Sequence, residues 1–188
     1  VPPDSVARIR VRVTKQTGGY PLATIRLYRS INYAAFTSIS MTYVPAETTY
    51  SATIPLQPAN TFVRYFIQAT DSLGNVARLA SSAFGGASSD TSKGVFFYTV
   101  LNRPLTIHDI QYTPFLNGRS AYIGAQVTVG GIVTADTAHI GISPLNTGGT
   151  NSWYMQTTNQ PWNGIWFVGA DTTLTGLQNG DSVSITGY

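Results

Sequence analysis

Cysteine is absent from this 188-residue chain, charged residues make up only 10% of it, and it holds two histidines and a single glutamate, Glu47. Each shortage removes a class of chemistry. Without cysteine there are no disulfides, no thiolate metal sites and no cysteine nucleophile. No apolar run approaches the ~20 residues of a membrane-spanning helix, so no membrane insertion is expected. Helical periodicity is almost missing. Disorder is not expected either, because 43% of the residues are apolar and the net charge is only +3. The length allows one large domain or two small ones.

The scarcity of acids also limits catalysis. A glycosidase needs two carboxylates opposed across a cleft, ~5 to 9.5 Å apart, whereas the seven aspartates here are scattered. Asp71, Asp136, Asp171 and Asp181 fall at turn-like positions, where aspartate hydrogen-bonds its own backbone. Asp71 with Asn75 offers oxygen ligands for calcium, but only one of them is an acid. His108 and Asp109 are neighbours on what reads as a strand, so they point to opposite faces and make a poor hydrolase pair. His139 reads as a surface side chain. Neither G-x-S-x-G nor G-x-x-x-x-G-K occurs. No catalytic residue, no metal site and no cofactor is therefore expected.

What the chain has in quantity is period-two alternation. In residues 6–13, Ile9, Val11 and Val13 share one face, and Arg8, Arg10 and Arg12 the other. Further strand patterns cover 23–28, 37–43, 50–56, 61–70 and 95–101. Six or seven short strands in ~100 residues point to two packed sheets. Residues 80–94, ASSAFGGASSDTSKG, are small, polar and glycine-rich, as a loop should be. A proline at Asn102-Arg103-Pro104 then interrupts the pattern. The charge changes sign there, from nine basic residues and four acids before it to two arginines and four aspartates after it. Domains at 1–102 and 103–188 follow. In the second, strands are expected at 126–135, 152–157, 164–168 and 182–187. Gly130-Gly131 is read as a bulge that bends the first of them, and Asn179-Gly180-Asp181 as the turn before the last. A small closed barrel needs one strand more. A chain that opens at Val1 and closes at Tyr188 straight after a strand pattern reads as a fragment of a longer polypeptide.

The stretch YSATIPLQPANTFVRYFIQATDSLGN (residues 50–75) resembles immunoglobulin-like or fibronectin type III-like modules of bacterial secreted proteins, in which a "Y-x-A-x-I-P" strand precedes "Y-x-I-x-A-x-D-x-x-G-N". Tyr65, Ile67, Ala69, Asp71, Gly74 and Asn75 occupy those places. Residues 105–188 resemble the OB-fold-like module found beside secreted nucleases and phosphoesterases, through LTIHDIQYT, GAQVTVGGIVTAD, WYMQTT, GIWFVG and LQNGDSVSITGY. Thr157 stands where that family usually has an acid, and its closing strand is absent. The resemblances imply an all-β chain: an immunoglobulin/fibronectin type III-like β-sandwich followed by a C-terminally truncated OB-fold-like small β-barrel. They carry no catalytic residue to it.

Two features remain as ligand sites. Arg8, Arg10 and Arg12 lie ~6.6 Å apart along their strand, close to a phosphate repeat. Read otherwise, they are a solvated face that discourages edge-to-edge pairing. On an OB-type barrel, exposed aromatics make stacking platforms for bases or sugar rings. Trp153, Ile165 and Phe167 are expected to face inward, which leaves Tyr154, Trp162 and Trp166 at the surface. The expectation is a non-catalytic fragment of a larger secreted or cell-surface multidomain protein, extracellular, serving as spacer and binding module. Its partners would be neighbouring domains of the parent protein. The alternatives are a nucleic-acid-binding accessory of an extracellular nuclease or phosphoesterase, and a carbohydrate-binding module.

Overall fold

The computed structural model describes residues 1–14, 19–80, 91, 94–115, 118–136, 151–169 and 176–188. They are nearly all β. Apart from residues 80, 91 and 94, the glycine- and serine-rich stretch 80–94 lies outside them, as do His139 and Asp171. The chain divides into two compact units. The first comprises Val1–Arg103 and Thr113–Ala121, the second Pro104–Tyr112 and Tyr122–Tyr188.

The first unit pairs its strands into two antiparallel sheets. One has the order β1 (Ala7–Val11), β5 (Thr49–Ile54), β4 (Thr42–Val44). The other has the order β3 (Thr37–Ser40), β2 (Leu22–Ile31), β6 (Phe62–Asp71), β7 (Val76–Leu79). A further strand, β8 (Phe96–Thr99), pairs with Phe62–Tyr65 on the edge of β6 whose later residues, Ile67–Thr70, pair with β7. The alternating side chains place Ala52 and Ile54 of one sheet against Ile25, Leu27, Val63 and Ile67 of the other. Leu27, Ile54 and Val63 are completely buried, each contributing about 1.5–3 kcal/mol through removal from water.

Residues 37–43, which alternate as one strand, are two strands in different sheets. Met41 is the crossing residue; it is buried, and its amide donates to the Ile25 carbonyl at 2.9 Å. Alternation specifies which side chains face the core, and both sheets face the same core. The five-stranded sheet also carries a small cluster on its other face. There Phe66 and Tyr28 stack at 4.8 Å beneath Ala80, Val95 and Phe115. Phe115, which also meets Phe97 edge-on at 5.5 Å, accounts for the inclusion of 113–121 in this unit.

The second unit is one antiparallel sheet in the order β11 (Gly164–Gly169), β10 (Asn151–Gln156), β9 (Val127–Asp136), β12 (Ser182–Gly187). β9 divides its length between two partners, with Val127–Ile132 on β12 and Ile132–Asp136 on β10. The bulge does not fall at the glycine pair. The register shifts so that Thr134 has no partner between Tyr154 and Met155. Gly131 serves a different purpose. A Cβ there would lie 3.1 Å from the Gln156 carbonyl oxygen and 3.2 Å from Ile107 Cδ1, so its absence lets Ile107 seat on the sheet.

Ile107 belongs to a short helix, α1 (Ile107–Gln111), where a strand was expected. The Thr106 hydroxyl accepts from the Asp109 amide, and Asp109 accepts from the Thr106 amide, a reciprocal N-cap that closes the first turn. Ile107 and Ile110, three apart and hence on one helical face, are both buried against Val129 and Met155.

Candidate functional site

The hairpin loop between β10 and β11 is tied at its neck by Thr157, whose amide donates to the Asn163 carbonyl and whose hydroxyl donates to Asn163 Oδ1, both at 3.0 Å. Thr157 thus closes a loop. Next to Asn163 in this loop stands Trp162, 46% exposed and with φ +66°. A bulky side chain in the left-handed region costs of order 1–3 kcal/mol, a strain that elsewhere clusters at binding sites. Tyr112 meets the Trp162 ring edge-on at 6.1 Å and stacks on His108 at 5.2 Å. His108 and Tyr112 are four residues apart, on one side of α1. Trp162, Tyr112 and His108 therefore form an exposed aromatic row, with the amides of Asn159, Gln160 and Asn163 in the same loop.

Trp166 and Tyr154 lie elsewhere. They are directly opposite each other in the β10–β11 register, Tyr154 exposed and Trp166 half-buried, on the face away from the core. Trp153 and Phe167, the adjacent register pair, face inward and stack at 5.6 Å, with Trp153 only 4% exposed. The structure thus groups Trp162 with Tyr112 and His108 rather than with Tyr154 and Trp166. Tyr112 went unnoticed in the sequence because its segment reads as a strand. The Thr106-x-x-Asp109 capping pattern was the available signal.

The arginine stripe occupies the outer face of β1, an edge strand. Arg8 and Arg10 both reach Glu47, at 3.2 and 3.3 Å, and Arg12 reaches the Thr48 hydroxyl at 3.5 Å. Glu47 is placed for this by the 3-10 turn Pro45–Glu47 that joins β4 to β5. Three guanidinium groups against one carboxylate leave the patch positive but partly compensated, and these exposed pairs are each worth about 1 kcal/mol or less.

Asp71, Asp109 and Asp181 are engaged in local structure. Both carboxylate oxygens of Asp71 accept from its own turn, from the amides of Leu73 and Asn75 and from Asn75 Nδ2 at 2.8–2.9 Å. The Asn75 side chain, with those amides, holds this carboxyl below its ordinary pKa. Asp181 accepts from the Gln178 amide, and Asp109 is bound to Thr106 as a helix cap. Among the described residues no three His, Asp or Glu side chains come together as a metal-holding group.

Arg64 makes a second aromatic contact set, in the first unit. Its guanidinium lies 4.7 Å from the Tyr33 ring centre and 5.2 Å from that of Phe36, and it donates to the buried Ser30 hydroxyl. This cation–π arrangement fixes the β2–β3 turn against β6. Comparison with known proteins yields no match, either to any protein-family model or to any curated protein.

Proposed function

We propose that this chain is a non-catalytic part of a larger secreted or cell-surface multidomain protein, acting as a spacer and as a carbohydrate-binding module through the second unit. The observation that carries the binding role is Trp162, held exposed on a left-handed backbone in a row with Tyr112 and His108. Flat aromatic faces beside amide side chains suit a neutral sugar ring, which offers C–H groups to the ring faces and hydroxyls to the amides. The strand orders support the module reading. Sheets β1-β5-β4 and β3-β2-β6-β8 correspond to the B-E-D and C′-C-F-G arrangement of immunoglobulin-like sandwiches. A curved sheet whose first strand serves two partners supports an OB-like barrel.

Calorimetric titration of the whole chain with soluble β-glucan, xylan and α-mannan oligosaccharides tests the reading. Short single-stranded DNA serves as the competing probe, at low salt and at ~150 mM, where the screening length is ~8 Å. Binding of one oligosaccharide class, insensitive to salt and weakened at least tenfold by Trp162→Ala but not by Trp166→Ala, is the expected result. Binding of DNA alone that collapses with salt, through released counterions, would replace it with the nucleic-acid accessory reading carried by Arg8, Arg10 and Arg12.

A further inference from the structure

On the face of the five-stranded sheet turned away from the sandwich core, Phe36, Phe66 and Phe115 line one cavity of about 440 Å³ together with Arg64 and Arg78. All five residues belong to the first unit. A cavity of this size holds a small organic molecule. Strand alternation accounts for the arrangement. Val63, Tyr65 and Ile67 of β6 face the core, so Arg64, Phe66 and Gln68 face outward. Arg78 of β7 stands opposite Gln68 in the strand register. Phe66 therefore lies between the two arginines, and Phe36 meets its ring edge-on at 5.2 Å.

The partners of the two arginines supply an independent observation. Arg64 Nη2 donates to the Ser30 hydroxyl at 2.8 Å, and Arg78 Nε donates to Gln68 Oε1 at 3.0 Å. Arg64 Nε is buried without a hydrogen-bond partner. Among the described residues neither guanidinium meets a carboxylate, whereas Arg8 and Arg10 share Glu47. Two cations set among phenylalanine rings, where water is partly excluded, favour an anion beside them. No acid lines the cavity to supply one.

We propose that this cavity binds a small aromatic carboxylate, with its ring against Phe36, Phe66 and Phe115 and its carboxylate between Arg64 and Arg78. The two oxygens of a carboxylate match the planar, forked donors of a guanidinium group. The ring is aryl rather than sugar because the lining has no amide side chain and a single hydroxyl, that of Thr91. A sugar would lose the hydration of its hydroxyls there without gaining partners. The site is thus distinct in chemistry from the row of Trp162, Tyr112 and His108. It is also set in advance of binding. Tyr33 and Phe36 hold the Arg64 guanidinium at 4.7 and 5.2 Å from their ring centres, and Gln68 holds that of Arg78.

The test titrates the full chain with phenylacetate, followed by NMR of backbone amides and arginine Nε–H groups. Phenylacetamide and acetate serve as probes that lack the charge and the ring. The expected result is saturable binding of phenylacetate that shifts the signals of Phe66 and Arg78, at least tenfold tighter than that of either control. Arg78 is exposed on β7, so Arg78→Gln should fold as the parent does and weaken phenylacetate at least tenfold. Arg64→Lys, which keeps the charge but not the planar donors, should weaken it as well. Absence of a saturable shift at millimolar phenylacetate would overturn the proposal. Equal binding of phenylacetate and its amide, or unchanged affinity in a folded Arg78→Gln chain, would do the same.

Discussion

At the residue scale, single side chains decide how this chain answers to pH. Tyr98 has its pKa pushed up to about 12, first by burial and then by the neighbouring Tyr65, with Arg29 opposing. A raised tyrosine pKa means that the fold prefers the neutral phenol. Its contribution is fully present below the ordinary value near 10 and is lost as pH rises toward 12. Tyr98→Phe should therefore flatten the alkaline limb of a melting-temperature profile between pH 10 and 12. Asp71 behaves in the opposite sense. Its lowered pKa makes its contribution present above the ordinary carboxylate range and lost as the solution is acidified through the folded value. Asp71→Asn should melt below the parent at pH 7, with the gap closing as the solution is acidified below the ordinary carboxylate range. Trp162 separates binding from stability. At φ +66° glycine is unstrained, so Trp162→Gly should melt above Trp162→Ala by about 1 kcal/mol in denaturant titration. Both lose the aromatic row, and under the proposed function both should lose oligosaccharide binding.

At the element scale, the departures from simple alternation carry the information. Leu105 and Ile107 continue a period-two pattern, yet Thr106 and Asp109 cap a helix whose buried residues are Ile107 and Ile110. Two local signals conflict there, and packing of α1 onto the sheet favours the helix. Thr106→Ala should cost about 1 kcal/mol and detach His108 and Tyr112 from their positions. Gly131→Ala should be destabilising by about 1–3 kcal/mol, because the added methyl would meet the Gln156 carbonyl and Ile107. Both are measurable by denaturant unfolding, and both should weaken oligosaccharide binding through α1. The arginine stripe was legible as a row on one strand. That Glu47, 35 or more residues away, would sit among its guanidinium groups was not, since strand pairing brings β1 beside β5 and the turn before it.

At the scale of the whole molecule, two cores organise the chain, one between the facing sheets of the first unit and one between α1 and the curved sheet of the second. Leu27→Ala in the first should cost about 2–5 kcal/mol, read as faster amide exchange throughout β2 and β6. The residues determined by themselves that the chain is all-β, which side chains of most strands face inward, and that Asp71, Asn75 and Gly180 make turns. These are properties of neighbours in sequence, set by side-chain alternation and local backbone preference. Tertiary structure alone decided that residues 37–43 divide between two sheets at Met41, and that Thr113–Ala121 joins the first unit. It also put Tyr112 beside Trp162. Each of these depends on which distant segments pair. Pairing is chosen by total burial and backbone hydrogen bonding, to which any single stretch contributes only one side.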